Sequence, residues 1–174
     1  MGIATANGRS TANPRPDSKS THEFPGIDIP PRAWQLLAGH PALVATAWAG
    51  RRYACLALGV QQASSTPPLV CVSTRCGEVI DPILRDARTF SLMALAPTER
   101  VLQRRLQESN TLRGMDIFDG VLMERTAAGL PVVASSLVSM ECEIVRHIDL
   151  EADHQLYAGR VLSCRLREMM QAAC

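Results

Sequence analysis

The sequence predicts a mainly β fold: a barrel of short strands decorated by small helices. Three observations carry that expectation. Apolar runs of strand length recur from residue 42 to residue 165, separated by turn residues. Segments with helical spacing of apolar positions are few and short. The two longest apolar runs, 137–147 and 155–165, close the chain as a pair.

The elements follow in order. Residues 1–28 are rich in Ser, Thr, Asn, Pro and Gly with almost nothing to bury, which predicts a disordered leader ahead of one domain at 29–174. Pro30-Pro31 can open a helix, and Arg32 to Leu37 continues it to a stop at Gly39-His40-Pro41. Residues 42–48 read as a strand, Ala49-Gly50-Arg51-Arg52 as a hairpin turn, and 53–60 as a second strand. A third strand is expected at 69–73. A helix at 79–87 places Val79, Ile80, Ile83, Leu84 and Ala87 at helical spacing. Residues 89–95 read as a strand. Pro97–Glu108 reads as a helix with Val101, Leu102 and Leu106 on one face and arginines on the other. Residues 109–130 look irregular, and the turn between the last two strands is expected at 149–153.

Composition narrows the function classes. At 174 residues, 47% of them hydrophobic, the chain suits one domain with a sizeable core. A net charge of +1 gives no bulk electrostatic case for nucleic acid or an anionic membrane surface. No run reaches the ~18 apolar residues a membrane span needs, and no basic stretch leads into an apolar core at the N-terminus, so a cytoplasmic protein is expected. The six cysteines form no CxxC pair; Cys55, Cys71, Cys142 and Cys164 sit in apolar runs and read as small, reduced core residues. Cys76 follows Arg75, which could lower its thiol pKa, but an unreactive thiol is the expected reading and its role stays open. The histidines are too scattered for a metal site, and none of the GxGxxG, P-loop, GxSxG or HExxH patterns is present.

Two stretches bring chemistry-bearing side chains to short polar corners. The first runs from Ser64-Ser65-Thr66-Pro67-Pro68 through an apolar strand to Ser73-Thr74-Arg75. The second is Asp153-His154-Gln155-Leu156-Tyr157-Ala158-Gly159-Arg160-Val161. On residues alone, loop serines, a strand-end arginine and a strand-start histidine are usually solvated or structural.

These stretches, in order with Val79-Ile80-Asp81, Arg88 to Leu92, Asp116 to Val121 and Leu137 to Val145 with its Glu141-Cys142 pair, resemble the flavin reductase-like family with the FMN-binding split-barrel fold. The likeness covers about residues 40–165. It implies a homodimeric split barrel that binds FMN or FAD, often loosely, with NADH or NADPH as co-substrate and a monooxygenase as partner. It places Ser64, Ser65, Ser73, Thr74 and Arg75 near the flavin, with the hydroxyls and guanidinium suited to phosphate. It also places Phe118 at the flavin ring, His154 at the nicotinamide edge, and Asp153 as the group that fixes the His154 tautomer.

One segment departs from the family pattern. Where relatives carry flavin-binding Thr, Ser and Asn, this chain reads Leu56-Ala57-Leu58-Gly59-Val60-Gln61-Gln62. The hydroxyls are gone, leaving the backbone of Leu58 and Gly59 and the amides of Gln61 and Gln62. The basic-Ser pattern after the third strand is also shifted, with Glu78 close by. Losing several contacts at ~1 kcal/mol each would weaken flavin by orders of magnitude. Three functions are therefore compatible with the residues: a reductase for a partner oxygenase, a repurposed relative performing a tailoring step in a biosynthetic pathway, and a non-catalytic split barrel with a vestigial pocket.

Overall fold

The computed structural model describes residues 27–108 and 116–167; most of the expected leader and the last residues of the chain lie outside them. The elements are α1 (Pro31–Gly39), β1 (Ala42–Trp48), β2 (Arg51–Leu56), β3 (Gly59–Ser65), β4 (Pro68–Arg75), α2 (Ile80–Ala87), β5 (Thr89–Ala94), α3 (Arg100–Gln107), β6 (Met123–Arg125), β7 (Pro131–Val133), β8 (Val138–Asp149) and β9 (His154–Leu166). Seven strands form one antiparallel sheet in the order β2-β1-β5-β8-β9-β4-β3, and β6 pairs with β7 in a separate ribbon.

The closure of that sheet follows from one link. Its edge strands, β2 and β3, are consecutive in the chain and joined only by Ala57 and Leu58. Two residues span roughly 7 Å, so the two edges must come together and the sheet must curl. The Ala57 N–H donates to Ala42 O on one side of the seam, and the Leu58 N–H donates to Ser73 O on the other. A split barrel results. The single strand expected at 53–60 is thus two strands, because its backbone partners change at the seam.

Other boundaries shift for local reasons. Arg51 and Arg52 belong to β2 rather than to a turn, since Ala49 and Gly50, both at positive φ, complete a two-residue hairpin by themselves. Ser64 and Ser65 end β3 rather than sitting in a loop; they pair with Leu69 and Pro68 across a hairpin, past a bulge at 62–64. β6 falls inside the stretch read as irregular, too short at three residues to leave a periodic signal. α3 begins three residues later than expected, after a turn at Pro97–Glu99.

The core has two parts. The barrel interior is filled by Val44, Val70, Val72, Phe90, Leu92, Met140 and Tyr157, with Ala33 and Leu37 of α1 and Ile80 and Leu84 of α2 plugging it. A second cluster lies on the opposite face of β1, β2 and β5, where Leu43, Ala45 and Met93 meet Leu102 and Leu106 of α3 and Val132 and Val133 of β7. Of the four cysteines expected in the core, Cys55 and Cys142 are buried; Cys71 is half-buried because strand alternation turns it outward, and Cys164, opposite Met140, is half-buried against the barrel core. Among the described residues, no helix is long and apolar enough to cross a membrane.

Candidate functional site

Register decides which of the candidate residues can meet. β4 pairs with β3 on one side and β9 on the other, so residues fall into rows across three strands. Val60-Val72-Tyr157 and Gln62-Val70-Gly159 form rows directed into the barrel, where Val70, Val72 and Tyr157 are fully buried. The alternate rows face outward: Gly59-Ser73-Leu156, Gln61-Cys71-Ala158 and Ser64-Leu69-Arg160, with Arg75 opposite His154 at the end.

Six expected site residues therefore share one outer face: Gly59, Gln61, Ser64, Ser73, Arg75 and His154. Between them Cys71, Leu156 and Ala158 form a half-buried apolar floor, which the sequence reading did not assign. Alternation along β9 was the available signal, but only the pairing to β4 shows which parity faces out.

The remaining candidates lie elsewhere. Thr74 is on an inward row, opposite Gln155, and is 1% exposed. Its parity makes it an interior residue rather than a surface ligand. Ser65 also belongs to an inward position, paired with Pro68 at the mouth of the barrel. Leu58 sits at the seam and is exposed. Phe118 is buried in the second cluster, with the Arg52 guanidinium 5.4 Å from its ring centre. In this chain the ring serves as a core residue, on the face of the sheet away from the barrel interior.

At the Arg75 end the geometry is specific. The Cys76 N–H donates to Asp153 O at 2.9 Å, tying the end of β4 to the turn before β9. His154 Nδ1 lies 2.8 Å from Asp153 Oδ1. A proton on Nδ1 donated to that carboxylate leaves Nε2 as the nitrogen directed away from Asp153. The hydrogen bond from His154 holds the Asp153 carboxyl below its usual range. Cys76 does not gain a thiolate from Arg75. Desolvation, followed by the carboxylates Asp149, Asp81 and Asp153, pushes its thiol up, against which Arg85 acts alone. Burial likewise raises the Glu78 carboxyl, with Arg75 opposing.

Beneath the face, α2 is fastened to the barrel wall. The Tyr157 hydroxyl donates to Asp81 Oδ1 at 2.6 Å, and His147 stacks on the Tyr157 ring at 4.8 Å. Burial and the Asp81 carboxylate together push the tyrosine pKa far above its ordinary value. His147 Nε2 is also hydrogen-bonded to Gln155 Oε1 at 2.7 Å. This network supports β9 immediately next to His154.

An apolar floor, hydroxyl and amide groups along a rim and a guanidinium at one end is a surface for a planar, polar-edged ligand with an anionic tail. Residues 34–173 match the flavin reductase like domain. The chain belongs to the flavin reductase-like family. Its structure is similar to the FMN-binding protein from Thermus thermophilus with bound 1-cyclohex-2-enone, at 24% identity and a TM-score of 0.65 over 91% of this chain and 80% of that one. It is similar also to BorF, the flavin reductase component of a bacterial two-component tryptophan halogenase, at 24% identity and a TM-score of 0.66, covering 75% and 81%. A third likeness is to the NADH:FAD oxidoreductase SgcE6 of Streptomyces globisporus in complex with NAD and FAD fragments, at 22% identity and a TM-score of 0.64, covering 74% and 75%. No curated protein matches the chain.

The residues present fit a flavin. At Gly59 an added Cβ would find only Ser73 Cβ within 4 Å, at 3.9 Å, so the backbone there is open to a close ring. The donor set of Gln61, Ser64, Ser73 and Arg75 offers hydrogen bonds and charge to a polar ring edge and a phosphate.

Proposed function

We propose that this protein is an NAD(P)H-dependent flavin reductase that supplies reduced FMN or FAD to a partner monooxygenase, acting as a homodimer in the cytoplasm. The observation that carries the reading is the convergence of Arg75, Ser73, Gly59, Gln61 and His154 on one outer face of a family-typical barrel. A bound flavin would supply the chemistry by accepting a hydride from the reduced nicotinamide.

The chain's own residues prepare the encounter. Cys71, Leu156 and Ala158 exclude water from one ring face. Arg75 attracts the anionic ligands. Asp153 fixes the His154 ring, so that Nε2 is held ready to orient a nicotinamide amide or the polar flavin edge. Free cysteines, five of them among the described residues, suit a reducing compartment.

One observation favours a second reading, in which the pocket serves a biosynthetic tailoring step or is vestigial. Leu58, Gly59 and Val60 offer no side-chain hydrogen bonds where the family carries hydroxyls. A flavin titration followed by NADH in the same cuvette separates the two. Micromolar binding with catalytic NADH oxidation is the expected result. Binding without turnover, or no binding, would shift the assignment to the second reading.

A further inference from the structure

Gln62, Ser65 and Pro68 stand on the inward parity of β3 and β4, at the mouth of the barrel, on the opposite side of these strands from Ser73 and Arg75. α1 plugs that mouth, and between it and the β3–β4 hairpin lies a cleft of about 330 Å³. Ile29, Trp34 and Pro68 form its apolar wall; Asp28, Gln62 and Ser65 are its polar groups. Trp34 and Ile29 are half-buried and pack against the barrel core, which fixes the indole in the wall.

The charge of this cleft has one sign. Asp28 is the only ionisable side chain in its lining, and it forms no ion pair among the described residues. Gln62 Nε2 donates to Ser65 Oγ at 3.2 Å, which commits the amide nitrogen to its own hairpin and leaves the carbonyl as an acceptor. An indole face, an unpaired carboxylate and an amide carbonyl are together the partners of an ammonium group. The ring attracts the cation, and the two oxygens accept its N–H groups. Ile29 and Pro68 suit the hydrocarbon that carries it. The same carboxylate repels phosphate, so nucleotide ligands are left to the Arg75 end of the outer face. We propose that the cleft binds a small primary amine as its ammonium ion, at a site separate from the candidate flavin face. The assignment stands whether or not the protein reduces flavin.

Tryptophan emission tests it. Trp34 and Trp48 are the two tryptophans of the chain, and Trp48 is outside the lining, so in the full-length Trp48→Phe protein Trp34 reports alone. Hexylammonium is expected to shift that emission saturably. It should bind about tenfold more tightly than hexan-1-ol, which has the same carbon chain and no charge, because a cation on the ring and a partly exposed ion pair together are worth about that factor. Asp28→Asn, at an exposed position, should weaken hexylammonium about threefold and leave hexan-1-ol unchanged. Calorimetry on the native chain should give the same ranking without the Trp48 substitution. Equal affinities for the amine and the alcohol would reveal an apolar cleft only and overturn the proposal. Equal losses of both in Asp28→Asn, or an emission that neither ligand shifts, would overturn it as well.

Discussion

Gly159 of β9 lies directly against the ring of Phe90 of β5. A Cβ built on Gly159 would stand 2.7 Å from Phe90 Cζ and 3.1 Å from Cys142 Cβ, closer than unbonded carbons approach. The absent side chain thus lets a phenyl ring fill the barrel interior behind the candidate site. Gly159→Ala is expected to cost about 1–3 kcal/mol through overpacking, read as a lower urea midpoint. Phe90→Leu in the same chain should recover part of that loss, and a double-mutant cycle measures the coupling.

Tyr157 and Asp81 are paired inside the barrel, at 0% and 8% exposure. Tyr157→Phe removes the donor and leaves a buried carboxylate oxygen without its hydroxyl partner. The expected cost is about 1–3 kcal/mol, measured by thermal or denaturant unfolding. A change within error would show that solvent reaches Asp81 and replaces the bond.

For the proposed reduction, His154→Ala should slow NADH oxidation about tenfold or more, the worth of one well-placed hydrogen bond, with flavin affinity nearly intact. Asp153→Asn should give a smaller loss, because the amide still restrains the ring. Undiminished turnover in His154→Ala would remove that residue from the mechanism.

Asp116 provides a pH test on the far side of the molecule. Burial opposes its ionisation, but hydrogen bonds from Arg52 and the Phe118 N–H prevail and lower its pKa. A carboxyl depressed in the folded state adds stability that is present above its ordinary range and lost as pH falls through the folded value. The melting temperature of the native protein should therefore exceed that of Asp116→Asn at pH 7, modestly because the pair is partly exposed. The gap should close below about pH 4. A gap that is constant with pH would assign the effect to packing.

A homodimer should elute with a light-scattering mass of twice 18.9 kDa. A monomer at every concentration would overturn the homodimer.

The sequence by itself determined the class of fold, the order of most of its elements and the family. It did so because strand alternation, turn residues and short motifs such as Asp153-His154 through Val161 are local properties of the chain. It also pointed to one end of the candidate face, since Arg75 and His154, which pair there, stand at strand ends where local signals are strongest. Tertiary structure alone decided which side chains meet. The seam at Ala57-Leu58, the hairpin that makes strands of Gln61 and Ser64, and the pairing of β4 with β9 depend on long-range hydrogen bonds that no local pattern encodes. A shift of one residue in that register would exchange the two faces. Register turned Thr74 and Ser65 inward, brought Leu156 and Cys71 to the candidate face, and left Phe118 in a core on the other side of the sheet.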